Sequence, residues 1–339
     1  MSYYHSHAKL GLTIEAGSFV GGESEIMVAG SSGKHLNVKY FDYEDGELHC
    51  ESSNEVASKS SCTSMEVCGD RMGGKAYVAL ALVGGRNDGS STLSLHDFTA
   101  AADRDDDDND ASPVVVPHDY AISALSFSSD QRVLGAASEC GTVSLYDFPL
   151  MKAFRKLRVD ACGVNDAVFD RNGQLVIAGR SAVMGPQIWD IRLPDGQARV
   201  LAMGPDAALF GGGGSGVRGG VKPGVLTCVQ PHIVKDTVYA GSEDGVVSEW
   251  DVRNAVRPVD SVRMHHDRVT ALVLHPTRSD AVVSGSAGGS VQAVFLNDSL
   301  PGFSFDLESP IVALDVHEVS GRLLVASALG GLDLFHFEE

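Results

Sequence analysis

VLTCVQPHIVKDTVYAGSEDGVVSEWDVR, residues 225–253, contains one full copy of a unit that recurs in weaker form along the whole chain. Val225, Thr227 and Val229 alternate ahead of a turn at Pro231. A second apolar run, Thr237 to Ala240, leads into Gly241-Ser242-Glu243-Asp244-Gly245, and a third run extends from Val246 to Val252. The pattern predicts three strands and two turns. An Asp-Gly pair between two β-rich runs is a strong short-range hairpin signal, because glycine accepts the positive φ that such turns need.

Outward from this stretch, six further units can be traced. They run from Ile26 to Asp42, Ala76 to Phe98, His118 to Phe148, Val164 to Arg192, His265 to Leu296 and Ile311 to Phe337. The residues closing their third strands are Asp42, Asp97, Asp147, Asp190, Asp251, Phe295 and His336, whose closest spacings are 41 to 44 residues. A period of about 40 to 45 residues with four short strands per repeat predicts a β-propeller, here all-β with seven blades in a single domain over 1–339. The seventh unit ends at its third strand. The unpaired alternation within residues 8–16 is therefore expected to supply the fourth strand of the last blade, closing the ring and removing an open edge. A ring closed in this way needs nothing beyond residues 1–339. Met1 to His7 reads as loose, and Ser52 to Ser64 as an outer strand plus an exposed loop. Residues 103–112 form an acidic loop and 211–222 a Gly-rich loop.

The 339 residues include 26 Lys and Arg against 45 Asp and Glu, a formal net charge of −19, which opposes sequence-independent binding to a phosphate backbone. Direct nucleic-acid binding is not expected. Six cysteines without a CxxC pair predict neither a disulfide framework nor a zinc site and fit a reducing compartment. No apolar signal core is present, and the run Ala76 to Val83 is too short to span a bilayer, so a soluble intracellular protein is expected.

Four stretches carry candidate chemistry. In His265-His266-Asp267, neighbouring side chains on an extended segment point to opposite faces and converge poorly on one ion. His5 and His7 share a face but make only a two-imidazole site. Gly211 to Gly220, with Arg218 and Lys222, lacks the helix a phosphate loop requires. The run Asp103 to Asp110 lacks the central Gly and closing Glu of an EF-hand loop. No GxSxG or HExxH occurs. The expectation is no enzyme, no metal, no cofactor and no small-molecule substrate.

Ser242, Asp244, Gly245, Trp250 and Asp251 together resemble a blade of the WD-repeat family, as do Trp189 and Asp190 one unit earlier. His118 and His265 precede Ile122 and Val269 by four, matching the inter-blade histidine of that family. The resemblance implies that Ser242, Asp244 and Trp250 buttress one another. Elsewhere Cys140 and Gly288 replace the turn Asp, and Tyr146, Val294 and Phe335 replace Trp. The series QIWDIR (187–192), TCVQPH with YAGSEDGVVSEWDVR, then His265 and Leu274-His275-Pro276, is similar in order and spacing to a small WD-repeat nucleoporin peripheral to the Y-shaped outer-ring complex of the nuclear pore. That resemblance implies a non-enzymatic scaffold in nucleocytoplasmic transport at the nuclear envelope, docked on helical-solenoid nucleoporins. Arg192 and Arg253, which end the two Trp-Asp-x-Arg motifs, also resemble the docking motif of cullin-type ubiquitin-ligase receptors. They are the candidate partner contacts, and a ligase substrate receptor is the alternative function. The blander expectation is that both arginines pair with carboxylates of their own blades.

Overall fold

The computed structural model describes the chain apart from residues 1–2, 21–24, 45–46, 70–75, 85–90, 98–112, 182–183, 194–197, 203–222, 254–256, 276–280, 296–301, 318 and 338–339. The acidic loop 103–112 and the Gly-rich loop 211–222, with Arg218 and Lys222, lie outside the described residues.

Seven antiparallel four-stranded sheets follow one another in sequence. The first blade is β2 (Thr13–Phe19), β3 (Glu25–Ser32), β4 (His35–Glu44) and β5 (Glu47–Ser58); the second is β6 (Ser60–Gly69), β7 (Ala76–Gly84), β8 (Ser91–Asp97) and β9 (Val114–His118). The third is β10 (Ile122–Phe127), β11 (Val133–Ser138), β12 (Thr142–Asp147) and β13 (Lys152–Arg158); the fourth is β14 (Val164–Phe169), β15 (Gln174–Gly179), β16 (Met184–Asp190) and β17 (Ala198–Ala202). The fifth is β18 (Leu226–Pro231), β19 (Thr237–Ser242), β20 (Val246–Asp251) and β21 (Asp260–Arg263); the sixth is β22 (Val269–Leu274), β23 (Ala281–Ser286), β24 (Ser290–Phe295) and β25 (Ser304–Asp306). The seventh combines β26 (Ile311–His317), β27 (Arg322–Ser327) and β28 (Gly331–Phe337) with β1 (Tyr3–Lys9) from the other end of the chain.

The ring is thus closed by an N-terminal strand in the last blade, but by a different segment from residues 8–16. Tyr3 to Lys9 pairs with Phe337 to Gly331 in unbroken register, whereas Thr13 onward belongs to the first blade and pairs with β3. The misplacement has a plain cause. Leu12 and Ile14 are buried, so their alternation is visible in the sequence, while the polar face of YYHSHAK hides a strand. Ser52 to Ser64 is corrected similarly. It holds the end of β5 and the start of β6, the innermost strand of blade two, joined through Lys59 at φ 58. Cys62, Met65 and Cys68 of that serine-rich strand are all buried.

Each hydrophobic cluster lies between two blades. Met27, Ala29, Leu36 and Val38 of blade one pack with Met65, Val78 and Leu80 of blade two. At the ring closure, Ile14, Ile26 and Val28 pack with Leu324, Ala326, Leu332 and Leu334. Five further clusters join the remaining neighbours in order. A sheet with apolar residues on both faces needs a partner on each side, and a closed ring meets that need without leaving an end.

The opening unit folds as three strands and two turns, followed by an outer fourth strand. Gly245 follows Asp244 in the β19–β20 turn at φ +78, and a Cβ there would stand 2.1 Å from the His265 carbonyl oxygen. Only glycine fits that turn without strain.

Candidate functional site: the blade junctions and the ring axis

The innermost strands carry a set of polar residues that tie blades together at six of the seven junctions among the described residues. The Glu15 carboxylate accepts the Cys62 N–H across the first junction and the Ser31 hydroxyl at 2.8 Å. Thr63 donates to the Ile122 carbonyl at 2.6 Å, and Ser64 Oγ accepts the Leu125 N–H at 3.0 Å. Ser126 Oγ accepts the Phe169 N–H at 3.1 Å. Asn165 donates to the Leu226 carbonyl at 2.7 Å, and Asp166 Oδ2 accepts the Val229 N–H at 2.9 Å. Thr227 donates to the Val269 carbonyl at 2.7 Å. At the closure Asp315 Oδ2 accepts the Phe19 N–H at 2.8 Å and the Ser18 hydroxyl at 2.6 Å. Cys62 N–H and the Ile122, Leu226 and Val269 carbonyls lie at the irregularities that break the register of their strands, where the ladder leaves donors and acceptors unpaired.

A further inner-strand acid, Glu66 of blade two, feels the charges of Asp166 of blade four and Asp315 of blade seven. Burial, then the charge of Asp315 and to a smaller degree that of Asp166, push the Glu66 carboxyl up to about 8, against a hydrogen bond from the Phe127 N–H. Asp166 is pushed up to about 6 by burial, opposed by the Val229 and Ala167 amides, and Asp315 is also raised by burial. Burial thus raises all three acids, Glu66 the most. Among the described residues, no group of three or more His, Cys, Asp or Glu side chains is arranged to hold a metal ion.

The residues singled out in the sequence sit nearer the rim. Ser242, fully buried, donates to Asp244 Oδ1 at 2.5 Å and to the Val246 carbonyl at 2.9 Å. The buried Trp250 does not direct its indole N–H to that pair; it donates to Ser248 Oγ, two residues earlier on the same strand, at 2.9 Å. Trp189 repeats the arrangement, donating to Gln187 Oε1 at 3.1 Å. Residues two apart on a strand share a face, so the local partner is nearer than the turn. His265 Nε2 bonds Ser284 Oγ at 2.7 Å and its Nδ1 bonds Ser290 Oγ at 3.0 Å, linking the end of blade five to blade six. Burial lowers this imidazole to about 4, so it is neutral at physiological pH, while its neighbour His266 is exposed. His118 bonds the Tyr146 hydroxyl, which stands in the place of the expected Trp.

Arg192 reaches Asp190 through two nitrogens at 2.8 and 2.7 Å, and Arg253 reaches Asp251 through two at 3.0 Å. Both guanidinium groups are exposed, 67% and 73%, and each grips the Asp of its own Trp-Asp pair. His5 Nε2 and His7 Nδ1 both donate to Asp333 Oδ1, at 2.7 and 2.8 Å, across the closing pair of strands. Asp333 is 1% exposed and its Oδ2 has no hydrogen-bond partner. The inner-strand bonds and the His5, His7 and Asp333 clasp were not found by sequence reasoning. Their only trace is a polar residue at alternate positions of otherwise apolar strands.

The seven sheets form a seven-bladed β-propeller, and the family model described as "WD domain, G-beta repeat" matches residues 112–147, from the outer strand of blade two through β12. The chain is also similar to Nucleoporin Nup43 of Mus musculus, 24% identical over 165 residues, which cover 48% of this chain and 39% of that protein. The match thus spans about two fifths of the nucleoporin's length. This fold and repeat are those of a protein-interaction scaffold.

Proposed function

We propose that this protein is a non-enzymatic scaffold subunit of the nuclear pore outer ring, acting in nucleocytoplasmic transport by docking on helical-solenoid nucleoporins at the nuclear envelope. The similarity to Nucleoporin Nup43 carries this reading. It is supported by a fold with seven inter-blade cores, a form suited to presenting rigid loops to other proteins. The site residues named above act in this reading as internal braces: Ser242, Asp244 and Trp250 in blade five, His118 and His265 at the junctions, and Trp189, Asp190 and Asp251 beside the two arginines. Arg192 and Arg253 pair with Asp190 and Asp251 and remain exposed, and they are the partner contacts of the alternative reading, a ligase substrate receptor.

The test is affinity purification of the tagged full-length protein from its own cells, with imaging of a fluorescent fusion. Outer-ring nucleoporins in stoichiometric yield and a nuclear rim signal are expected. Recovery of a cullin adaptor without nucleoporins, lost on Arg192→Ala or Arg253→Ala, would overturn the proposal in favour of a ligase receptor.

A further inference from the structure

The outermost strand of blade three, β13, reads KAFRKLR: four of the 26 basic residues of a chain with net charge −19 fall within seven positions, with no acidic residue among them. Lys152, Lys156 and Arg158 are exposed, and none of the three forms an ion pair among the described residues. Arg155 differs, since its guanidinium is tethered to the Ile191 and Leu193 carbonyls of blade four. That tether anchors the strand and leaves the other three cations facing solvent. Two apolar side chains stand beside them, Phe154 at 53% exposure and Leu150 at 72%.

Lysines on an edge strand commonly serve to prevent edge-to-edge pairing. That role explains the charges but not an exposed aromatic and an exposed leucine among them. Among the described side chains no other outer strand repeats the combination: β5 carries Glu47, Glu51 and Glu55, β21 and β25 each carry an aspartate, and β9 has no Lys or Arg. The register of β13 on β12 jumps from Arg155 to Ala153, leaving Phe154 without a partner of its own. An added strand therefore cannot follow β13 over its full length, and recognition falls to the side chains. Lys156 is opposite Ser144 and Arg158 opposite Thr142, so the two basic groups lie along one face two residues apart, while Phe154 stands at the bulge beside them and Lys152, opposite Asp147, is on the other face.

We propose that β13 and the preceding turn form a docking ribbon for an extended, acidic segment of a partner protein, with Lys156 and Arg158 meeting its carboxylates and the exposed Phe154 and Leu150 covering an apolar residue within it. Charge complementarity selects the occupant: this is a concentrated basic patch on a strongly acidic molecule, which repels acidic chains elsewhere on its surface. The inference does not depend on the nuclear pore reading, because the ribbon is defined by this chain's own residues.

The experiment uses full-length protein and two fluorescein-labelled ten-residue peptides, one of glutamate alone and one with two leucines set among glutamates, followed by fluorescence anisotropy at 50 and 300 mM salt. Both peptides are expected to bind at low salt, the leucine-containing one more tightly and with less salt sensitivity. Lys156→Glu with Arg158→Glu is expected to weaken both by about tenfold or more, whereas Lys34→Glu with Lys59→Glu, the same charge change on blade one, leaves binding within about twofold. Phe154→Ser should weaken only the leucine-containing peptide. Circular dichroism melts establish that each variant is folded. Absence of binding at 50 mM salt, or equal loss from both charge reversals, overturns the proposal. Tighter binding of a ten-base single-stranded oligonucleotide than of either peptide would also overturn it, assigning the ribbon to nucleic acid.

Discussion

Replacing Glu66 with Gln removes an ionisable group from the ring axis while keeping an oxygen that can accept the Phe127 N–H. In the folded protein the Glu66 carboxyl is raised from 4.5 to about 8, mainly by burial and then by Asp315. An acid raised on folding contributes stability that is fully present below its unfolded value and is lost as pH climbs through the folded one. The loss therefore falls between about pH 4.5 and pH 8. A gap of about 3.5 units corresponds to about 5 kcal/mol as an upper bound. Glu66 is only partly screened from solvent, so we discount this to about 1–2 kcal/mol across the pH 6 to 9 interval. Urea unfolding followed through Trp189 and Trp250 fluorescence gives the stability of wild type and Glu66→Gln at each pH. The variant should gain about 1–2 kcal/mol over wild type on going from pH 6 to pH 9. A difference that is flat with pH, or one favouring wild type at pH 9, would refute a neutral Glu66 and with it the idea that the axial acids repel one another.

Substituting both His5 and His7 by Ala leaves Asp333 buried without its two donors, and should cost about 3–5 kcal/mol in urea unfolding, with β1 the first segment to become protease-sensitive. Gly245→Ala forces a side chain toward the His265 carbonyl at a positive φ; a loss of at least about 2 kcal/mol is expected in the same assay. Trp250→Ala empties a fully buried site between blades four and five and should cost about 3–5 kcal/mol, measured by calorimetry. Arg192→Ala and Arg253→Ala remove exposed pairs and should each change stability by less than about 1 kcal/mol.

The propeller was legible because its punctuation is local. Asp244-Gly245 specifies a turn by backbone preference alone, and the apolar runs of β19, β23 and β27 are buried on both faces, so they read as strands without knowledge of their neighbours. His265 was legible for the same reason, since it sits four residues before Val269 whatever surrounds it. The closing strand was not. His5 and His7 look like surface residues until Asp333, almost the whole chain away, is set between them. Glu15, Glu66, Asp166 and Asp315 look like solvated charges on polar strand faces. What makes them structural is a backbone amide on the next blade, and no spacing within one repeat reports that distance. Trp250 shows the converse limit, since its resemblance to the family pattern implied Ser242 as a partner and the chain supplied the nearer Ser248.

The pairing of β1 with β28 has a consequence for how the molecule is made. β1 finds its place only when β28 has emerged, so until then the nascent ring has two open flanks, the inner core of blade one on one side and an unpaired β1 on the other. Six junctions can form in order as each blade appears, but the seventh must wait, and its hydrophobic residues, Ile14, Ile26, Leu324 and Leu332 among them, face water until β28 has formed. A ribosome stalled anywhere short of β28 would hold a chain with most of its interfaces formed and no means of sealing itself.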